Sequence, residues 1–134
     1  MTNQRLTFEV LADSLGVCKL DSNQTIPEWA YQGKFFSITK TPDELSIVCS
    51  EMVIPGDVQC EIGWRALKIA GILDFGLIGI LSVVATALAK AGLSIFAIST
   101  YNTDYILVKS KDLERALHTL SSEGHEIIMG EFEK

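Results

Sequence analysis

Apolar and polar positions follow two different periods in the second half of the chain. Residues 64–70 alternate as in a strand, with Arg65 and Lys68 near the surface. Apolar residues then recur in steps of four and three, and these are Leu77, Leu81, Val84, Leu88 and Ala91. That spacing is typical of one face of a helix, and Gly92 follows it as a helix stop.

The remaining elements of this half are a hairpin, a helix and a last strand. Residues 94–100 and 104–108 are rich in β-branched and aromatic side chains, and only a short turn joins them, which predicts an antiparallel hairpin. Apolar residues at helical spacing predict a helix over 111–122, and residues 126–129 read as a short strand.

The resulting order is β-α-β-β-α-β, the ferredoxin-like unit of the α+β class. Right-handed crossovers would place both helices on one face of a four-stranded antiparallel sheet.

The first half has a different pattern, with strands and almost no helical period. It predicts one helical turn beginning at Pro27 and strands over 6–11, 17–20, 35–40 and 45–53, with a turn at 13–16. So few elements cannot bury both faces of a sheet. We therefore expect a degenerate N-terminal unit over residues 1–60 that packs on, or extends the sheet of, a second unit over 61–134. The segment 55–57 is the expected junction.

The bulk composition is that of a globular protein. The chain has 134 residues, 48% of them hydrophobic and 21% charged, with a formal net charge of −6. Nonspecific nucleic-acid binding needs clustered cations, and Arg65 with Lys68 does not form a patch, so we expect no nucleic-acid partner.

An uncharged run over residues 75–89 is too short for a membrane span, which needs roughly 20 residues. This run therefore predicts a helix that is buried on most sides, and we expect no membrane partner. The N-terminus has no basic segment followed by an apolar one, so no signal peptide is predicted.

The cysteines Cys18, Cys49 and Cys60 are odd in number and lack metal-ligand spacing. We expect small core residues in a reducing cytoplasm rather than a disulfide framework. His118 and His125 lie far from any cysteine in the sequence, so no metal site and no cofactor is predicted. His118 follows Glu114 by four residues, as in a solvated surface pair.

The stretch from Asp74 to Gly79 carries the most specific chemistry. It connects the predicted strand to the predicted helix, and a glycine turn there leaves unpaired N–H groups at the positive end of the helix dipole. Those groups suit a carboxylate, and Asp74 suits an ammonium group, so together they would hold a free amino acid. Two plainer interpretations stay open: Gly76 and Gly79 only permit a tight turn, and Asp74 only caps the helix.

No catalytic constellation is visible in the sequence. Neither histidine has a nucleophilic partner, and Glu44, Glu51 and Glu61 are scattered. Asp104 fits turn chemistry better than ligand binding. We expect no enzyme, and an unrecognised hydrolase or transferase is the remaining catalytic alternative.

The glycine stretch, the following helix, residues 90–95 and the pair Ile98-Ser99 together resemble the ACT domain. Residues 99–108, with 41–48 and Trp64, are similar to small stand-alone tandem ACT proteins, related to the ACT modules of the cytosolic arginine sensor and of aspartate kinases. The resemblance is strong over residues 64–129 and moderate over 6–53, where a regular first helix is missing.

The resemblance implies ACT units paired side by side, with a ligand where units meet. It implies ligand contacts from the loop after the first strand and from the start of a second strand. The matching positions are Asp74, Phe75, Gly76, Leu77, Ile78 and Gly79 in the loop, and Ser94 and Ile95 in the strand.

The expected function is a non-catalytic, cytoplasmic amino-acid sensor. Its expected partners are a free amino acid and either copies of itself or a regulated metabolic enzyme. The alternative is an assembly module that binds no ligand.

Overall fold

The computed structural model describes residues 5–70 and 79–130. The chain forms two compact units, one of residues 13–64 and one of residues 1–12 together with 65–134. The second unit is therefore discontinuous in sequence. The expected division at residue 60 stays a prediction.

Seven strands and two α-helices make up the regular structure of the described residues. The strands are β1 (Thr7–Leu20), β2 (Ser37–Lys40), β3 (Leu45–Ser50), β4 (Cys60–Ile69), β5 (Ile95–Ser99), β6 (Asp104–Lys109) and β7 (Glu126–Met129). The helices are α1 (Ile80–Lys90) and α2 (Leu113–Ser122), and single 3-10 turns lie at Glu28–Tyr31, Glu51–Val53 and Ser110–Asp112.

The discontinuous unit confirms the predicted α+β fold and its ferredoxin-like element order. From β4 the order is β4-α1-β5-β6-α2-β7, and β5 pairs antiparallel with β6 from Ile95↔Val108 to Ser99↔Asp104. Both helices pack into one core with the strands. Val84 and Leu88 of α1 and Ala116 and Leu120 of α2 are completely buried there.

One pairing in this unit differs from the four-stranded antiparallel sheet that was expected. The strand order is β7-β1-β4-β6-β5, so the first half of β1 lies between β7 and β4. Thr7 to Val10 pair in parallel with Glu126 to Met129. Phe8 and Val10 point into the core, which explains why the chain keeps this segment inside the sheet.

Helix α1 is buried on one side only. Ile80, Val84 and Leu88, each four residues apart, are its buried residues, whereas Val83 is 49% exposed. The expectation of a helix buried on most sides is therefore wrong for residues 80–90. None of the helices described is long and apolar enough to cross a membrane.

The unit of residues 13–64 is a small sheet with the strand order β2-β3-β1-β4. β3 pairs antiparallel with β2 and with the second half of β1, from Leu15↔Ser50 to Leu20↔Leu45. Pro27 precedes the short helical turn, as predicted, and Ala30 in that turn is completely buried.

The predicted turn at residues 13–16 is wrong, because β1 runs through it without interruption. Gly16 serves packing rather than a turn. A Cβ at this position would lie 2.5 Å from Cδ1 of Ile54, so the end of that side chain would have to shift to admit a larger residue.

Candidate functional site

The predicted site lies where the chain passes from β4 to α1. Asp74, Phe75, Gly76, Leu77 and Ile78 fall in residues 71–78, outside the described residues, and so does the capping role considered for Asp74. The structure describes both flanks of this segment, namely the end of β4 on one side and Gly79 with α1 on the other.

Gly79 is the residue immediately before α1, and its backbone is left-handed, with φ 83°. Its carbonyl accepts the first helical hydrogen bond, from the N–H of Val83 at 2.8 Å. A Cβ would meet nothing within 4 Å, so glycine is favoured here by its backbone conformation and not by lack of space. Gly79 has no side chain that could cap the helix, and helix geometry supplies no acceptor for the N–H groups of the first turn.

Ser94 and Ile95 lie at the start of β5. Ser94 is exposed, whereas Ile95 is half-buried and packs against the core of the discontinuous unit. Because β5 ends the strand order and pairs only with β6 among the described strands, one of its edges offers backbone N–H and C=O groups. Such groups can bind a carboxylate or ammonium without help from a side chain.

The hairpin between β5 and β6 holds the end of β4 in place. Thr103 is only 5% exposed, and its hydroxyl donates a hydrogen bond of 2.6 Å to the carbonyl oxygen of Ile69, the last residue of β4. Within the turn, the N–H of Thr100 donates to the carbonyl of Thr103 at 2.8 Å. Thr103 therefore positions Ile69, which lies two residues before the 71–78 segment.

Sequence reasoning assigned Thr103 only to a turn and missed this role. A threonine next to a predicted strand is too common a feature to single it out, because the acceptor lies 34 positions away in the chain. Only the long-range pairing of β4 with β6 brings the two groups together.

Replacing Thr103 with Val is expected to destabilise the protein by about 1–2 kcal/mol. Valine keeps the shape of threonine but leaves the buried carbonyl of Ile69 without this donor. Urea unfolding followed by circular dichroism measures the loss. Thr39→Val, at an exposed strand position, is the control and should change stability by less than about 0.5 kcal/mol; equal effects of the two substitutions would contradict the role given to Thr103.

Asp104 has a structural partner, in agreement with the preference for turn chemistry. The hydroxyl of Ser99 donates to Oδ1 of Asp104 at 2.5 Å, and the two residues face each other across β5 and β6. The carboxylate of Asp104 is therefore already engaged at the hairpin.

Two groups that an enzyme could use as acid or base also have structural partners. Nδ1 of His125 accepts a hydrogen bond of 3.0 Å from the N–H of Leu6, and the imidazole ring packs edge-on against Phe8. Oε1 of Glu51 accepts from the N–H of Gly63 at 3.0 Å. His118 is exposed, as expected for a solvated surface residue.

Two family models match different parts of the chain. The family model described as ACT domain matches residues 59–122, which contain β4, α1, β5, β6 and α2. A separate model of an N-terminal domain matches residues 13–57, which lie in the smaller unit.

A solved structure and a sensor protein are similar to the chain in sequence. The crystal structure of Atu0741 from Agobacterium tumefaciens is 38% identical, with a TM-score of 0.92, and the match covers 98% of both chains. The human cytosolic arginine sensor for mTORC1 subunit 1 is 33% identical over 67% of this chain and 31% of its own length. The chain spans 63% of another human relative, CASTOR3P, so it covers less than two thirds of either human protein.

Aspartate kinases share the fold at lower identity. Aspartokinase III of E. coli, solved in complex with aspartate and ADP, is 14% identical with a TM-score of 0.60, over 88% of this chain and 32% of that one. This likeness concerns the fold alone. The match over residues 59–122 and the related sensor show that the chain belongs to the ACT-domain family, as a protein similar to the ACT modules of the cytosolic arginine sensor and, in fold alone, to those of aspartate kinases.

Proposed function

We propose that this protein is a non-catalytic regulatory module that binds a free amino acid where ACT units meet. The observation that carries the proposal is the start of α1, where the left-handed Gly79, which has no side chain of its own to cap the helix, precedes the first turn. In a protein of the ACT family, this is the place for a small anionic group. A relative is named an arginine sensor, which favours an amino acid as the class of ligand.

The proposed binding groups have separate tasks. N–H groups from Gly76 to Gly79 and from the first turn of α1 hold the ligand carboxylate, because the helix dipole adds a partial positive charge there. Asp74 holds the ammonium group through a charge-assisted hydrogen bond. Phe75, Leu77 and Ile78 belong to the same proposed segment, and Ser94 and Ile95 add backbone groups from the edge of β5.

Regulation would follow from a difference in affinity between two arrangements of ACT units. A ligand that touches two units shifts their equilibrium only as far as it binds one arrangement better than the other. The proposed receivers of that signal are further copies of the chain or a metabolic enzyme, in the cytoplasm, where the related arginine sensor is named as acting.

A thermal-shift screen of the common amino acids is the direct test. At a concentration of about 100 times Kd, a ligand that binds only the folded state adds about 2.7 kcal/mol of stability. For a protein of this size, we expect the midpoint of unfolding to rise by about 5–10 °C with one amino acid or a small chemical group of them. If no amino acid shifts the midpoint at millimolar concentration, the proposal fails.

A ligand-free assembly module is the second candidate. The edge of β5 that no other described strand covers and the exposed Val83 on α1 favour it, because both are surfaces on which another chain can pack. Sedimentation with and without the amino acid selected by the screen separates the candidates. An assembly module keeps one oligomeric state in both conditions, whereas a sensor changes its state or its stability only when the ligand is present.

A further inference from the structure

The three thiols of the chain meet in the unit of residues 13–64, although the sequence spaces them widely. Cys49 lies on β3, Cys18 on β1 and Cys60 at the start of β4, and these strands are neighbours in the order β2-β3-β1-β4. Cys18 and Cys49 are buried in the core of this unit, whereas Cys60 is exposed. A solvent molecule therefore reaches Cys60 before it reaches the other two.

Cys18 and Cys60 occupy directly opposite positions on β1 and β4. The N–H of Lys19 donates to the carbonyl of Gln59 at 3.0 Å, which makes these two a hydrogen-bonded pair of an antiparallel ladder. The adjacent pair of opposite residues in this ladder is Cys18 and Cys60. These two residues exchange no backbone hydrogen bonds with each other, because bonded and non-bonded pairs alternate along an antiparallel ladder. The surroundings of Gly16 support the same register, because a Cβ there would lie 3.4 Å from Cγ2 of Ile62.

This position suits a disulfide. Opposite residues at a position without hydrogen bonds have Cα atoms about 4.5 Å apart, within the range of about 4.4–6.8 Å that disulfides span. Cys49 is less suitable, because it faces Gly16 and is only a diagonal neighbour of Cys18, which itself faces Ile47. Diagonal Cα atoms lie about 7–8 Å apart, beyond the reach of a disulfide without backbone movement.

Cys49 has a different relation to Cys18. A hydrogen bond between their side chains raises the pKa of Cys18, and burial raises it further. The same hydrogen bond lowers the pKa of Cys49. Cys18 and Cys49 therefore share a hydrogen bond inside the core, where burial shields both thiols from an oxidant in the solvent. Among residues 5–70 and 79–130, no group of three or more histidine, cysteine or acidic side chains is arranged to hold a metal ion.

We propose that Cys60 and Cys18 form a reversible redox pair, which closes an intramolecular disulfide after a hydroperoxide has oxidised Cys60. In the first step the sulfur of Cys60 takes one oxygen from the hydroperoxide, giving a sulfenic acid, and the hydroperoxide is reduced to an alcohol or to water. In the second step the sulfur of Cys18 attacks the sulfur of Cys60. The hydroxyl group of the sulfenic acid leaves with the proton of Cys18 as water. A dithiol reductant reverses the bond by thiol–disulfide exchange.

Peptide mapping of the full chain tests the proposal. The protein is treated with hydrogen peroxide, its remaining thiols are alkylated, and it is digested and analysed by mass spectrometry without reduction. We expect one linked species that joins the peptides of Cys18 and Cys60, with alkylated Cys49, and its disappearance after dithiothreitol. A Cys18–Cys49 link, or no link within one chain, would overturn the proposal.

Single substitutions give matched controls. In Cys60→Ser the remaining thiols should stay reduced, whereas in Cys49→Ser the Cys18–Cys60 link should still form. In Cys18→Ser the sulfenic acid of Cys60 has no partner, so dimedone should label Cys60 at least fivefold more than in the unchanged protein. Equal labelling in the two proteins would show that Cys18 does not resolve the sulfenic acid and would also contradict the proposal.

Discussion

Replacing Asp74 with Asn is expected to weaken binding of the amino acid found by the thermal screen by about 30-fold or more. The substitution keeps the size of the side chain but removes the charge that we assign to the ligand ammonium group. Loss of one partner from a desolvated ion pair costs about 2–5 kcal/mol in binding. Isothermal titration calorimetry measures the change in Kd directly.

Asp104→Asn is the matched control, because it removes a carboxylate from the same unit. Asp104 already accepts the hydroxyl of Ser99 at the hairpin, so its loss should leave the ligand Kd unchanged within a factor of about two. An equal loss of affinity in both variants would indicate a general electrostatic effect. Unchanged affinity in Asp74→Asn would remove Asp74 from the proposed site.

Elements that bury one face through local contacts were predictable from the sequence. Helix α2 was expected over 111–122 and runs from Leu113 to Ser122, because one apolar stripe marks the buried side of a helix at any position in the chain. The β5–β6 hairpin was predictable for a related reason. Its strands are joined by so few residues that they can only pair with each other.

The position of β1 was not predictable, because it depends on contacts between distant parts of the chain. The alternation of apolar and polar residues predicted a strand over residues 6–11. It did not indicate whether β7 would pair with β1 or with β4. Gly16 was equally ambiguous, because a glycine serves a turn or a close approach, and the side chain of Ile54 that decides between them is 38 positions away.

The ligand role of Asp74 and the glycines stays a prediction, which rests on the chemistry of residue types within one short segment. The residues that support this segment from elsewhere in the fold were not predictable. Thr103 and the three thiols could not be recognised, since each acquires its role from a partner on another strand. The expectation that the cysteines are core residues holds for Cys18 and Cys49 and is wrong for Cys60, which lies at the exposed start of β4.

Replacing Phe8 with Ala is expected to destabilise the protein by about 3–5 kcal/mol, the usual cost of removing a buried aromatic side chain. Phe8 is 0% exposed and contacts the ring of His125 edge-on, with ring centroids 5.5 Å apart. It lies in the part of β1 that separates β7 from β4, so its loss opens a cavity in the core of the discontinuous unit. Urea unfolding monitored by circular dichroism and tryptophan fluorescence gives the change in free energy.

Phe36→Ala is the control, because Phe36 is 40% exposed and lies just before β2 in the smaller unit. It also packs edge-on against an aromatic ring, that of Tyr31, so both substitutions remove one aromatic pair and differ mainly in burial. We expect Phe36→Ala to cost about 1 kcal/mol or less. If Phe8→Ala cost no more than that, the first strand would not belong to the core of the ACT fold, because a segment lying outside the core tolerates the loss of its largest side chain.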